Sequence, residues 1–156
     1  GIALGSVMCN KLLKGEINGK LVPYASLGIT ISIILLFIFG IFYQQNIDST
    51  QIISVADFLF KNIYGFLMSL SLLSLAIFSG FYMVPLYAIM QHRSKAKHLA
   101  RVIAANNVMN ALFMVLASVW SILLFSLNFN VSEVLLIVGI LNIPMFFIIK
   151  SLLKDG

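Results

Sequence analysis

The densest run of side chains able to do chemistry is Gln91-His92-Arg93-Ser94-Lys95-Ala96-Lys97-His98. A histidine base needs a partner that orients it and stabilises its charge. In the common membrane acyltransferases that partner is an Asp shortly downstream. Four residues after His92 stands Ala96, and four after His98 stands Val102, so neither has a carboxylate. Ser94 likewise has no activating base beside it. Cys9 is the one cysteine, which excludes an internal disulfide, and a lone thiol with two distant histidines makes no metal set. No Gly-rich phosphate loop occurs. These residues therefore hold no catalytic motif and call for no metal or cofactor. The run reads as a basic loop able to attract anionic lipid headgroups.

A second kind of chemistry is neutral hydrogen bonding. Ser69, Ser71, Ser74 and Ser79, then Tyr82, Tyr87 and Gln91, punctuate one long apolar stretch, and Asn106, Asn107 and Asn110 open the next. Asn106 and Asn110 share a helical face at i, i+4. An amide is unfavourable in hydrocarbon, so these side chains are expected to face protein or a water-filled cavity. Ser79, Tyr82, Tyr87, Gln91, Asn106 and Asn110 are the candidate substrate contacts. The competing reading makes them hydrogen-bonding glue between helices.

The elements that carry them are set by composition. Apolar residues make up 61% of the 156 and charged residues 10%, with a mean hydropathy of +1.06. A soluble domain has roughly a quarter of its residues charged. Crossing about 30 Å of hydrocarbon takes an apolar helix of about 20 residues, and four stretches qualify: Leu21 to Tyr43, Ile63 to Gln91, Val102 to Leu127, and Val134 to Ile149 extended to Leu153. Gly1 to Met8 is half a span, continuing to about residue 10, and reads as the end of a truncated helix in a longer protein. The fold class is an all-α polytopic membrane protein, with four full transmembrane helices and one truncated N-terminal helix.

Charge then orients the spans. Lys11, Lys14, Lys20, Arg93, Lys95, Lys97, Arg101, Lys150 and Lys154 fall in alternate connections. The others, Gln44 to Asn62 and Asn128 to Glu133, hold only Lys61 against Asp48, Asp57 and Glu133. Basic loops stay in the cytoplasm, so the C-terminus is expected inside. The net charge of +5 is thus a topology signal, and nucleic-acid binding is not expected. No Asp, Glu, Lys, Arg or His lies in the middle of a span, so no proton relay is evident. Pro23 falls at a helix start, whereas Pro85 and Pro144 lie inside spans, where a proline tends to kink the helix. Gly80 strengthens the expected bend near Pro85, and Asn142 is placed to bond a carbonyl released at Pro144. Tyr24, Tyr43 and Tyr64 suit the headgroup layer, and the deeper Trp120 reads as packing.

Five helices with a short basic loop after the first and a longer one after the third resemble helices eight to twelve of a major facilitator superfamily carrier. That fold has twelve helices in two halves. The stretch Gly5-Ser6-Val7-Met8-Cys9-Asn10-Lys11-Leu12-Leu13-Lys14-Gly15 resembles a degraded form of the family's gating loop. The resemblance marks Gly5, Asn10 and Lys11, with Cys9 and Asn10 standing where the family has Asp. Val84-Pro85-Leu86-Tyr87-Ala88-Ile89-Met90-Gln91-His92-Arg93, continuing through Arg101-Val102-Ile103-Ala104-Ala105-Asn106-Asn107 to Asn110, resembles the lysophospholipid transporter branch. The resemblance runs from Gly1 to about Leu153. It implies a carrier that flips lysophospholipid across the bacterial inner membrane, with membrane lipids and its own N-terminal half as partners. In some bacteria that carrier is fused to a 2-acylglycerophosphoethanolamine acyltransferase, and the chain then reads as the fusion's membrane segment. A drug or metabolite efflux carrier is the alternative within the same fold.

Overall fold

The computed structural model describes residues 1–14, 18–45 and 54–154; Gly15 and Asp48 lie outside them. All regular structure among these residues is helical. Helix α1 covers Ile2–Leu12, α2 Val22–Gln45, α3 Val55–Phe60 and α4 Ile63–Arg93. A 3-10 turn at Ala96–His98 leads into α5 at Leu99–Ser126, followed by α6 at Val131–Leu141 and α7 at Ile143–Lys154. Four helical segments are long and apolar enough to cross a membrane: Val22–Gln45, Ile63–Arg93, Ala96–Ser126 and Val131–Ser151.

Local signals explain the boundaries. The Asn62 side chain accepts from the backbone N–H of Tyr64 at 2.9 Å and of Gly65 at 3.3 Å, capping the start of α4. Asn130 and Glu133 form a reciprocal capping box at the start of α6. At the end of α5, Asn128 takes the left-handed conformation (φ 66°), and Phe129 N–H donates to the Leu124 carbonyl at 3.2 Å. Asn128 N–H donates to the Phe125 carbonyl at 3.0 Å, which completes a Schellman closure.

Several expectations are corrected. Helix α3 occupies part of what reads as the Gln44 to Asn62 loop; six residues are too few to show a period. A 2.7 Å Asp57–Lys61 ion pair and an edge-on Tyr43–Phe58 contact help hold it. The third span begins earlier than Val102, because the 3-10 turn leads into the helix at Leu99. Helix α1, which contains Gly5, stays helical through Leu12, past the expected end at about residue 10. Trp120 is half exposed instead of packed. Pro85 is buried within α4, which continues unbroken from Ile63 to Arg93. At Pro144 the last span is divided, with α6 ending at Leu141 and α7 beginning at Ile143.

Close approaches fix how the helices run. A Cβ on Gly5 would collide with the Ile77 carbonyl oxygen, and one on Gly80 would lie 2.8 Å from the Ile2 carbonyl and 3.0 Å from Ser6 N. Helices α1 and α4 therefore cross parallel with their backbones almost touching, which only glycine permits on both sides. Gly80 accordingly serves this crossing, where the sequence suggests a bend. Helix α2 runs antiparallel to α4, with Gly28 against the Phe78 ring and Phe42 stacked on Tyr64 at 5.6 Å. It is also antiparallel to α6 and α7: Gly40 lies beside Ser132, Ile33 against Gly139, and Ser26 beside Asn142.

The Asn142 contact is polar. Its amide donates to the Ser26 carbonyl at 2.9 Å and to the Thr30 hydroxyl at 3.2 Å, and Thr30 lies 3.3 Å from the Gly139 carbonyl. Asn142 thus ties the α6–α7 break to α2, where the sequence suggests a bond to a freed carbonyl nearby. Ser69, Ser71 and Ser79 instead satisfy themselves, each donating to the carbonyl four residues earlier.

Burial is uneven. In the most apolar window of α2, 44% of residues are buried, against 6% in the window that contains α5. Val108, Val115 and Ile122 all project outward from α5. An apolar helix exposed nearly all round suits a hydrocarbon environment or a further helical partner, not water.

Two substitutions test this packing by unfolding in detergent. Gly5→Leu forces α1 off α4 and is expected to destabilise by about 1–3 kcal/mol or more. Asn142→Leu removes the inter-helix bonds and is expected to destabilise by about 0.6–2 kcal/mol. Unchanged stability in either would mean that the corresponding contact contributes nothing.

Candidate functional site

Helix α4 and helix α5 diverge from the turn that joins them, and a cleft of about 190 Å³ lies between them. Met83, Leu86, Tyr87 and Met90 line it from α4, and Asn106 and Asn110 from α5. The α4 residues recur at three- and four-residue spacing and so form one stripe. Asn106 and Asn110 sit one turn apart on the facing stripe.

Tyr87 holds the polar part together. Its phenol oxygen accepts from the Asn106 amide at 3.2 Å and from the Asn110 amide at 3.2 Å. All three residues are half-buried. No charged side chain lines the cleft, so its electrostatics are those of dipoles alone.

The same face of α5 continues away from the cleft as Phe113, Ala117, Trp120 and Leu124. Starting from Asn106, the spacing is four, three, four, three and four residues, which keeps all of them within one narrow helical stripe. Phe113, Ala117 and Trp120 line an open apolar groove of about 580 Å³, closed on its far side by Leu141 of α6. From Asn110 to Trp120 the stripe extends about 15 Å at 1.5 Å per residue. Leu124, at the end, is buried. One face of α5 therefore presents a neutral polar patch and then an uninterrupted apolar trough.

The structure brings together three of the six candidate substrate contacts: Tyr87, Asn106 and Asn110. The other three lie elsewhere. The Ser79 hydroxyl donates to the Leu75 carbonyl of its own helix at 2.8 Å. Tyr82 points to another side of α4, about 140° from Tyr87 at 100° per residue. Gln91 shares Tyr87's face one turn further on, but it is exposed and outside the cleft lining. Of the residues marked by the gating-loop resemblance, Gly5 is buried against α4, whereas Asn10 and Lys11 are exposed. Met83, Leu86, Met90 and the whole apolar groove escape sequence reasoning. Their spacing is visible in the sequence, yet it matches that of every other apolar helical face.

The helix directions collect most of the basic residues at one end of the bundle, Lys61 lying at the other. Lys11 and Lys14 follow α1, Lys20 precedes α2, and Arg93, Lys95, Lys97 and Arg101 surround the α4–α5 turn, with Lys150 late in α7. The cleft lies nearer this end than the groove does. Among the described residues, no group of three or more His, Cys, Asp or Glu could hold a metal ion. No family model, curated protein or solved structure matches the chain.

Proposed function

We propose that this chain is part of a major-facilitator-type carrier that moves lysophospholipid across the inner membrane of a bacterium. The observation that carries the reading is the face of α5, where the Asn106–Asn110–Tyr87 patch is continued by the Phe113–Trp120 groove. A polar patch followed by one apolar trough suits an amphipathic molecule with a polar head and a single tail. The neutrality of the patch suits a headgroup that carries no net charge or keeps its charges in water. The resemblance of Pro85 to Asn110 to the lysophospholipid branch supplies the substrate's identity. The exposed apolar flanks of α5 are then the surfaces left for lipid and for the carrier's other half.

In this reading the basic end of the bundle faces the cytoplasm, by the bias that keeps Lys- and Arg-rich loops inside. The C-terminal end of α7 is then cytoplasmic, and the cleft opens nearer the inner leaflet. A Lys97→Cys variant of the intact carrier, in a background free of other cysteines, is expected to react with an impermeant maleimide only when the cytoplasmic side is exposed. Labelling from the outside would invert the orientation.

Transport itself is tested with labelled lysophosphatidylethanolamine in cells expressing the intact carrier. Asn106→Ala and Asn110→Ala are each expected to slow uptake roughly 2–10-fold, the worth of one hydrogen bond, while membrane insertion stays normal. Wild-type uptake in both variants would return these residues to a packing role and remove the main support for the reading.

A further inference from the structure

A second hollow lies where α1 ends and α2 begins. It measures about 130 Å³ and is lined by Leu12, Leu21, Tyr24, Ala25, Phe78 and Phe81. Ala25 is buried and Leu12 and Tyr24 are exposed, so the hollow is closed at the first and open at the other two. The Phe78 and Phe81 rings, 6.2 Å apart, form its α4 wall. Phe78 and Tyr87 are nine residues apart, which is about 180° around the helix at 3.6 residues per turn. The hollow therefore opens on the side of α4 opposite the cleft, away from the transport path proposed above.

Its rim is basic. Lys11 precedes Leu12, Lys14 follows it by two residues, and Lys20 precedes Leu21. All three are exposed, and among the described residues none of them joins an ion pair, the pair present being Asp57–Lys61 at the other end. The connection from residue 11 to 20 sets these three lysines against the single Glu16. Helix α2 begins at the same place, so the positive end of its dipole adds to their field. Tyr24 at the mouth suits the headgroup layer, which puts the opening at the depth of a lipid phosphate.

An apolar hollow beside unpaired cations fits a molecule that is apolar and anionic at adjoining positions. A soluble anion meets the lysines and leaves the hollow uncovered. A zwitterionic lipid fills the hollow but brings a cation of its own to the three lysines. We propose that the α1–α2 end of the bundle is a binding site for one anionic phospholipid, with its phosphate among Lys11, Lys14 and Lys20 and the upper part of an acyl chain in the hollow. Such a lipid touches the end of α1, the start of α2 and the middle of α4 at once. It stabilises the bundle and is not itself transported.

The test titrates lipids into the full-length protein in an uncharged detergent and follows the midpoint of thermal unfolding. Phosphatidylglycerol is expected to raise the midpoint saturably, whereas phosphatidylcholine with the same chains, and free glycerophosphoglycerol, leave it unchanged. Each lysine near a lipid phosphate is worth about a fivefold change in affinity. The triple variant Lys11→Gln, Lys14→Gln, Lys20→Gln is therefore expected to bind phosphatidylglycerol on the order of a hundredfold more weakly, with its lipid-free midpoint retained. A second triple variant, Lys95→Gln, Lys97→Gln, Arg101→Gln, removes the same charge from the α4–α5 turn and is expected to keep wild-type affinity. Equal losses in the two triple variants would mean that the basic end attracts lipid without a site, and would overturn the proposal. So would equal stabilisation by phosphatidylcholine or by the free headgroup, or none by phosphatidylglycerol. Lysophospholipid uptake is a separate measurement, so the transport reading stands or falls independently.

Discussion

A bundle whose surroundings offer no hydrogen bonds must meet its polar groups from within, and apart from the buried, unpartnered Ser26 hydroxyl the described side chains do so. The clearest case is Asn142, whose amide crosses from the α6–α7 break to the Ser26 carbonyl and the Thr30 hydroxyl of α2. A proline two residues later removes a backbone donor, and here the last span is divided between α6 and α7. The asparagine at the break converts that interruption into an attachment. Serines along α4 take the other course and return their hydroxyl protons to their own helix. Such back-bonding leaves the helix surface apolar in effect, which lets α4 pack closely on both α1 and α2.

Once α2 and α4 are joined in this way, the bundle has a tight half and a loose half. The tight half depends on small residues: Gly5 and Gly80 bring two backbones together, and Gly139 admits Ile33. The loose half is α5, which touches α4 through Tyr87 and two asparagines near one end, and α6 near the other. Between those points its inner face is uncovered. A helix held at its ends and open in the middle bounds a trough without filling it. That is the geometric reason why both the cleft and the groove lie on α5.

Much of this architecture was legible in the sequence, because long uncharged stretches and alternating basic loops are global signals that no single residue can obscure. The span at Ile63 is placed correctly at its start, and the i, i+4 pair of Asn106 and Asn110 does share a face. What escaped were pairings between distant segments. Nothing local distinguishes a glycine that makes a crossing, such as Gly80, from one that loosens a helix, so it read as a bend. Asn142 read as a partner for a carbonyl freed at Pro144, because its actual partners lie more than a hundred residues earlier. Ser79, Tyr82 and Gln91 were grouped with Tyr87 by composition, but helical rotation puts the first two on other sides of α4. Helix α3 was missed because six residues carry too little periodicity to stand out from a loop.

The polar patch also explains why neutrality suits this position better than charge would. An ionised side chain beside the trough would need a counter-charge or a water shell. Three dipoles that satisfy one another at 3.2 Å avoid that requirement. They bond one another when the cleft is empty, and the second N–H and the oxygen of each amide are left for whatever enters. At 3.2 Å both contacts sit at the long end of the usual N–H···O range. A neutral site with unused bonding capacity can bind and release without a change in its own charge.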